Sequence, residues 1–217
     1  MADIFQEVDE EVRREQLKRL WQRYGNYIVA ACIVVVVAVG AWRGYEWWQG
    51  KKAAEAGAAF EQAVTLEASG KHDEAEAAFA KLATDGTAGY RVLARLREAA
   101  LIARTDHKAA VKAYDDIAAD HSFDQTMRDL ATLRAAYLLV DTSSYGDMRA
   151  RLQPLTEANR PFRHSARELL ALSAWREGDM GAARQWADTI LTDPQSPPGM
   201  RSRAEVLSEL ISASGKG

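Results

Sequence analysis

Residues 27–42 read YIVAACIVVVVAVGAW, without one charge, in a chain of 217 residues of which 27 % are charged. A helix rises about 1.5 Å per residue, so this run alone covers roughly 24 Å, short of a hydrocarbon layer of about 30 Å. Extended from Tyr24 to Trp48 it covers roughly 37 Å and crosses. Its ends suit the headgroup zone, with Trp21, Tyr24 and Tyr27 on one side and Trp42, Tyr45, Trp47 and Trp48 on the other. Such rings combine an apolar body with one polar atom. Arg43 can snorkel outward. The β-branched run Ile33 to Val37 is a weak helix former in water, but lipid forces every backbone group to bond within its own helix.

Three other readings compete with a permanent anchor. A buried core helix would not need two aromatic girdles. Val29-Ala30-Ala31-Cys32 has the composition of a lipobox, yet most of the apolar stretch follows Cys32 instead of preceding it. Val39-Gly40-Ala41 offers small residues for signal cleavage, but the preceding segment is long, carries both charge signs, and the aromatic belt continues past the site. The expectation is a cytoplasmic tail over 1–23, an uncut transmembrane helix over 24–48 and an outer domain over 49–217. Orientation follows from cations: Arg13, Arg14, Lys18, Arg19 and Arg23 precede the span, against Arg43, Lys51 and Lys52 after it. The sole cysteine, Cys32, falls in the span, so the outer domain has neither thiol nor disulfide. Before the span, Phe5, Val8, Val12, Leu17, Leu20, Trp21 and Tyr24 recur at helical spacing. That pattern fits an amphipathic helix on anionic lipid or a helical extension of the span.

From about Lys51 the composition turns to Ala, Leu, Glu and Arg, which predicts an all-α domain. Turn residues cut it at Ser69-Gly70, Asp85-Gly86, Thr105-Asp106, Asp120-His121-Ser122, Thr142-Ser143-Ser144, Asn159-Arg160-Pro161, Gly178-Asp179 and Pro194 to Gly199. Nine helices after the span are expected. Ala75-Phe79-Leu82, Ala110-Tyr114-Ile117, Met148-Leu152-Leu155 and Ala183-Ala187-Ile190 align, with first members 35, 38 and 35 positions apart. That is close to the tetratricopeptide period of about 34. Ala63, Ala136 and Ala171 keep the register on the preceding helices, with Glu98 the exception, as do Leu66, Leu101 and Leu139. Pro154 should kink or shorten the second helix of the third unit. The fold expected is a single N-terminal transmembrane helix followed by a tetratricopeptide-like α-solenoid of four helix pairs, with a capping helix over 200–212.

The whole chain resembles the ancillary subunits of the bacterial Sec translocon, inner-membrane proteins with a periplasmic tetratricopeptide-like domain. The resemblance is closest in LWQRYGNYIVAACIVVVVAVGAWRGYEWWQ, in AGAAFEQAV and in ELLALSAWREGDMGAARQW. It implies a single-pass anchor in the lipid bilayer of the bacterial inner membrane, with the N-terminus cytoplasmic and the C-terminal domain periplasmic. It also implies partnership with Sec translocon subunits, periplasmic chaperones and exported polypeptides, and no catalytic motif. The alternative is a scaffold or regulator that docks cell-wall enzymes through its repeats.

The residues propose no chemistry of their own. His72, His107, His121 and His164 are scattered, with no i+3 or i+4 pair, no His-Glu-x-x-His and no cysteine outside the span for zinc. No nucleophile elbow, phosphate loop or dinucleotide fingerprint occurs. Asp115, Asp116 and Glu168 read as solvated carboxylates. A net charge of −3 argues against a nucleic-acid surface. The expectation is therefore a non-enzyme without cofactor or metal. In tetratricopeptide arrays the first helix of each pair lines a concave side. The repeat register puts Phe60, Val64, Arg95, Ile102, Leu133, Tyr137, Leu172, Trp175 and Arg176 there, a set suited to an extended or partly unfolded polypeptide. The competing reading is that several of them fill the core or pack against the last helix.

Overall fold

The structure, a computed structural model, describes the backbone of residues 3–214 and the side chains of Lys18 and of residues 21–213. The amphipathic pattern of Phe5, Val8, Val12, Leu17 and Leu20 lies outside the described side chains. Nine α-helices and one 3-10 helix, with no strand, make up the described residues. They are α1 (Asp3–Ala68), α2 (His72–Asp85), α3 (Ala88–Ile102), α4 (His107–Ala119), α5 (Gln125–Leu139), α6 (Tyr145–Leu152), α7 (Arg163–Arg176), α8 (Met180–Thr192) and α9 (Pro198–Ser214). The 3-10 helix, Gln153–Thr156, directly follows α6. The chain forms two compact units, Met1–Ala54 and Glu55–Gly217.

In the first unit α1 is long and apolar enough to cross a membrane, and it is the one such helix among the described residues. Ile33 to Val37 are 59–71 % exposed, so the protein itself does not bury the apolar run. At its far end Lys52 lies 3.9 Å over the Trp48 ring and Lys51 5.9 Å over Trp47. The helix does not break after Trp48, so the second unit begins with the last turns of α1. Eight separate helices follow it where nine were expected.

Helix ends in the second unit follow local chemistry. After α1 the Lys71 N–H bonds the Leu66 carbonyl and the Gly70 N–H bonds Glu67; after α7 Asp179 bonds Ala174 and Gly178 bonds Trp175. Both are closures that need a left-handed residue, supplied by Gly70 at φ 79° and Gly178 at φ 84°. Side chains of Asp106, Asp124, Ser144 and Asp179 accept the backbone N–H three residues on and start α4, α5, α6 and α8. Pro154 acts as expected: α6 stops after eight residues and tightens into the 3-10 turn. Pro198 is tolerated in the first turn of α9, which starts two residues earlier than the sequence suggested.

All twelve aligned positions of the second helices, from Ala75 to Ile190, are buried. The core is a succession of clusters between neighbouring helices, as repeat packing requires. Phe79 and Leu101 centre the first, Tyr114 and Ala131 the second, Leu133, Leu152 and Leu169 the third, and Ala171, Leu207 and Ile211 the last. Glu98, which takes the place of a small residue, is half-buried. Burial, and then the charge of Glu76, raise its carboxyl pKa. On α9 the positions that on α7 hold Ala171 and Ala174, facing α8, hold Val206 and Glu209, both exposed. A polar residue where the next helix would pack suits a capping element.

Candidate functional site

The nine sequence-selected residues do not form one surface. Phe60 and Val64 pack against the first cluster, the Phe60 ring 5.5 Å from Phe79 and 5.9 Å from Tyr90. Arg95 bonds Asp120 at 2.8 Å and lies 5.2 Å from the Phe123 ring, tying α3 to the loop after α4. The bonds from Ser122 come first among the causes that lower the Asp120 pKa, and Arg95 adds to them. Ile102 is half-buried at the end of α3. Leu133, 4 % exposed, is part of the third cluster. Arg176 donates to the carbonyls of Asp141 and Ser143 and holds the loop between α5 and α6. That leaves Tyr137 at 47 % exposure, Leu172 at 37 %, and the half-buried Trp175.

Leu172 and Trp175 on α7 face Val206, Leu207 and Leu210 on α9 across a groove of about 370 Å³, with Ile190 of α8 also lining it. The last helix packs on α7 and α8 and contributes one wall, leaving the groove open. Arg203 of α9 hydrogen-bonds both carboxylate oxygens of Glu168 on α7 at its edge. This bond and the Glu168 charge raise the Arg203 pKa. Glu168 is thus paired, not simply solvated, and Asp115 likewise holds Arg151 of α6.

The groove has the size of a small-ligand pocket, about 300–1,000 Å³, and an apolar lining with one ion pair. Burying one Leu- or Phe-sized side chain there is worth about 1.5–3 kcal/mol, whereas the exposed ion pair adds about 0–1 kcal/mol. The lining suits apolar side chains better than charged ones. The α9 residues are not among the sequence-selected nine, because that helix reads as a cap that several of the nine could pack against. The 35-residue register would have found them, since Arg203, Leu207 and Leu210 lie one period beyond Glu168, Leu172 and Trp175. A larger, more polar cavity of about 610 Å³ lies between α4, α5 and α6, against Val111, Leu139, Asp147 and Arg151. No group of three His, Cys, Asp or Glu side chains that could share a metal ion occurs among the described residues.

The profile of the tetratricopeptide repeat-like domain family matches residues 18–186, from just before the apolar run into α8. No curated protein and no solved structure gives a match.

Proposed function

The chain belongs to the tetratricopeptide repeat-like domain family, and from that premise we propose that it is a membrane-anchored adaptor of the Sec translocon that passes exported polypeptides to periplasmic folding factors. Repeat domains of this kind are typically protein-interaction modules and not catalysts. The observation that carries the reading is the open groove, where Leu172 is exposed beside Val206 and Leu210 in a unit that follows an apolar, lipid-compatible helix. The Sec assignment rests on the resemblance across the charged tail, the span and its aromatic exit. In this reading the span is uncut, the tail 1–23 is cytoplasmic and the domain is periplasmic, as the cation count favours. Tyr137, Leu172 and Trp175, joined by Val206 and Leu210, carry the partner surface. Phe60, Val64, Arg95, Ile102, Leu133 and Arg176 hold the repeats that present it.

A photo-crosslinking amino acid at position 172, in intact cells, tests this. Adducts with channel subunits, nascent exported chains or periplasmic chaperones are expected. Adducts confined to cell-wall enzymes would replace the proposal with an envelope-scaffold role. Alkaline phosphatase fused after residue 60 should be active, and an inactive fusion would reverse the topology.

A further inference from the structure

His164, the second residue of α7, is buried, with its side chain 9 % exposed, against the loop that leads from α8 into α9. The proton on Nδ1 can be read from its neighbours. Ser196, also buried, has a single hydroxyl proton and gives it to the Ile190 carbonyl at 2.6 Å. At 3.1 Å its oxygen therefore accepts from His164 Nδ1–H. Nε2 is buried without a hydrogen-bond partner, 3.9 Å from Asp193 Oδ2. The same Oδ2 accepts from Arg167 Nη1 at 2.9 Å and from Arg163 Nε at 3.3 Å.

Every element around the ring contributes to this network. Arg163 and Arg167 come from α7 itself, Asp193, Gln195 and Ser196 from the loop, and Arg201 of α9 reaches the Asp193 carbonyl at 3.4 Å. Behind Arg163 stands Arg160, paired with Asp129 of α5. Arg167 also bonds the Thr156 carbonyl at 3.0 Å, tying the loop to the end of the 3-10 turn. Two of the bonds that hold the loop at the start of α9, those from Arg163 Nε and Arg167, thus share one carboxylate oxygen.

We propose that His164 is an acid-sensitive latch, and that proton uptake at Nε2 loosens the loop over 193–197 and with it α9, the outer wall of the groove. A proton there adds a third positive charge beside Arg163 and Arg167 in a site with little water. Asp193 could accept it only by closing about 1 Å to hydrogen-bond distance, at the expense of its arginines. Otherwise the loop must open to water. Burial first, and then the charge of Arg163, lower the His164 pKa below its ordinary value of 6.5, with Asp193 opposing and Arg167 assisting. A depressed histidine favours the neutral form in the fold. Its stabilisation is complete above about pH 6.5 and is lost as the pH falls through the lower folded value.

Hydrogen exchange of the full-length chain in detergent micelles, at about pH 7.5 and about pH 5.5 and corrected for intrinsic rates, tests the latch. Amides over 196–207 should exchange about tenfold faster at the lower pH relative to those of α4, and His164→Gln should remove the difference. Unchanged protection, or the same acceleration in His164→Gln, overturns the proposal. Should that variant fail to fold, the wild-type ring titration followed by NMR decides instead, because titration without loss of α9 protection is equally fatal. The consequence for partner capture rests on the groove reading, but the exchange readout does not. Acid opening without channel adducts at position 172 would sink the proposed function alone.

Discussion

Replacing Arg160 by Met strands a carboxylate that is almost out of solvent. The Asp129 side chain on α5 is 5 % exposed and is held by Arg160 Nη1 at 3.0 Å and Gln125 Nε2 at 2.7 Å. At this separation a charge pair in a medium of effective dielectric near 20 is worth about 5–6 kcal/mol before desolvation. The Gln125 bond survives the substitution, and the methionine retains the packing of the arginine stem. Breaking a buried pair by removing one partner costs about 3–5 kcal/mol, and the 24 % exposure of Arg160, which lets water follow, places this case near 3 kcal/mol. For a domain of this size the melting temperature should drop by about 6–12 °C. The assay is thermal unfolding of the full-length chain in micelles by far-ultraviolet circular dichroism, where the lipid-like environment keeps the apolar segment helical. Asp129→Leu combined with Arg160→Met should return to within about 1 kcal/mol of the wild type, because the cost lies in the orphaned charge and not in the absent pair. A single-variant loss below about 1 kcal/mol, the value of a surface pair, would refute the reasoning. So would a double variant no more stable than the single one.

Trp175→Ala should cost about 2–3 kcal/mol, less than a fully buried tryptophan, because the ring is half-exposed and its buried indole N–H has no partner to lose. The same variant should abolish the adducts formed from position 172, and retained adducts would remove Trp175 from the site. At Gly57 an added Cβ would lie 2.8 Å from the Tyr90 hydroxyl, so Gly57→Ala should displace that ring from Phe60 at a cost of about 1–3 kcal/mol, of which helix propensity in α1 returns about 1 kcal/mol. Tyr90→Phe should restore most of the loss, as read by denaturant midpoints. The Gln195 backbone N–H first, then Arg167 and Arg163, hold the Asp193 carboxyl at about 2. Its stabilisation is therefore present above its ordinary value of 3.8 and lost as the pH falls toward 2. Asp193→Asn should flatten the acid limb of the melting-temperature profile in that window, and an unchanged limb would assign it to other carboxylates.

Much of this protein is legible along the chain because the signals are local. A charge-free run bounded by tryptophans and tyrosines needs no partner to be recognised. Breakers at Gly70, Asp106, Ser144 and Gly178 act on the turns in which they stand, and the structure ends or starts helices at each. Burial at four-residue spacing marks one face of a helix, so every aligned position from Ala75 to Ile190 could be assigned to the core.

What only the tertiary structure decided is which part of a face is left open. Leu133 and Tyr137 are four residues apart on α5 and share a side of it, yet one is 4 % exposed and the other 47 %. The difference lies in the neighbours: Leu152 and Leu169 cover Leu133, whereas nothing comparable covers Tyr137. The same holds for Arg176, whose exposed register position is taken up by the carbonyls of Asp141 and Ser143 from a loop more than thirty residues away. It holds for α9, whose apolar residues could have closed the groove or walled it. Periodicity states that a helix has an apolar face, but which neighbour meets that face depends on contacts distant in sequence, and those are settled only when the repeats stack.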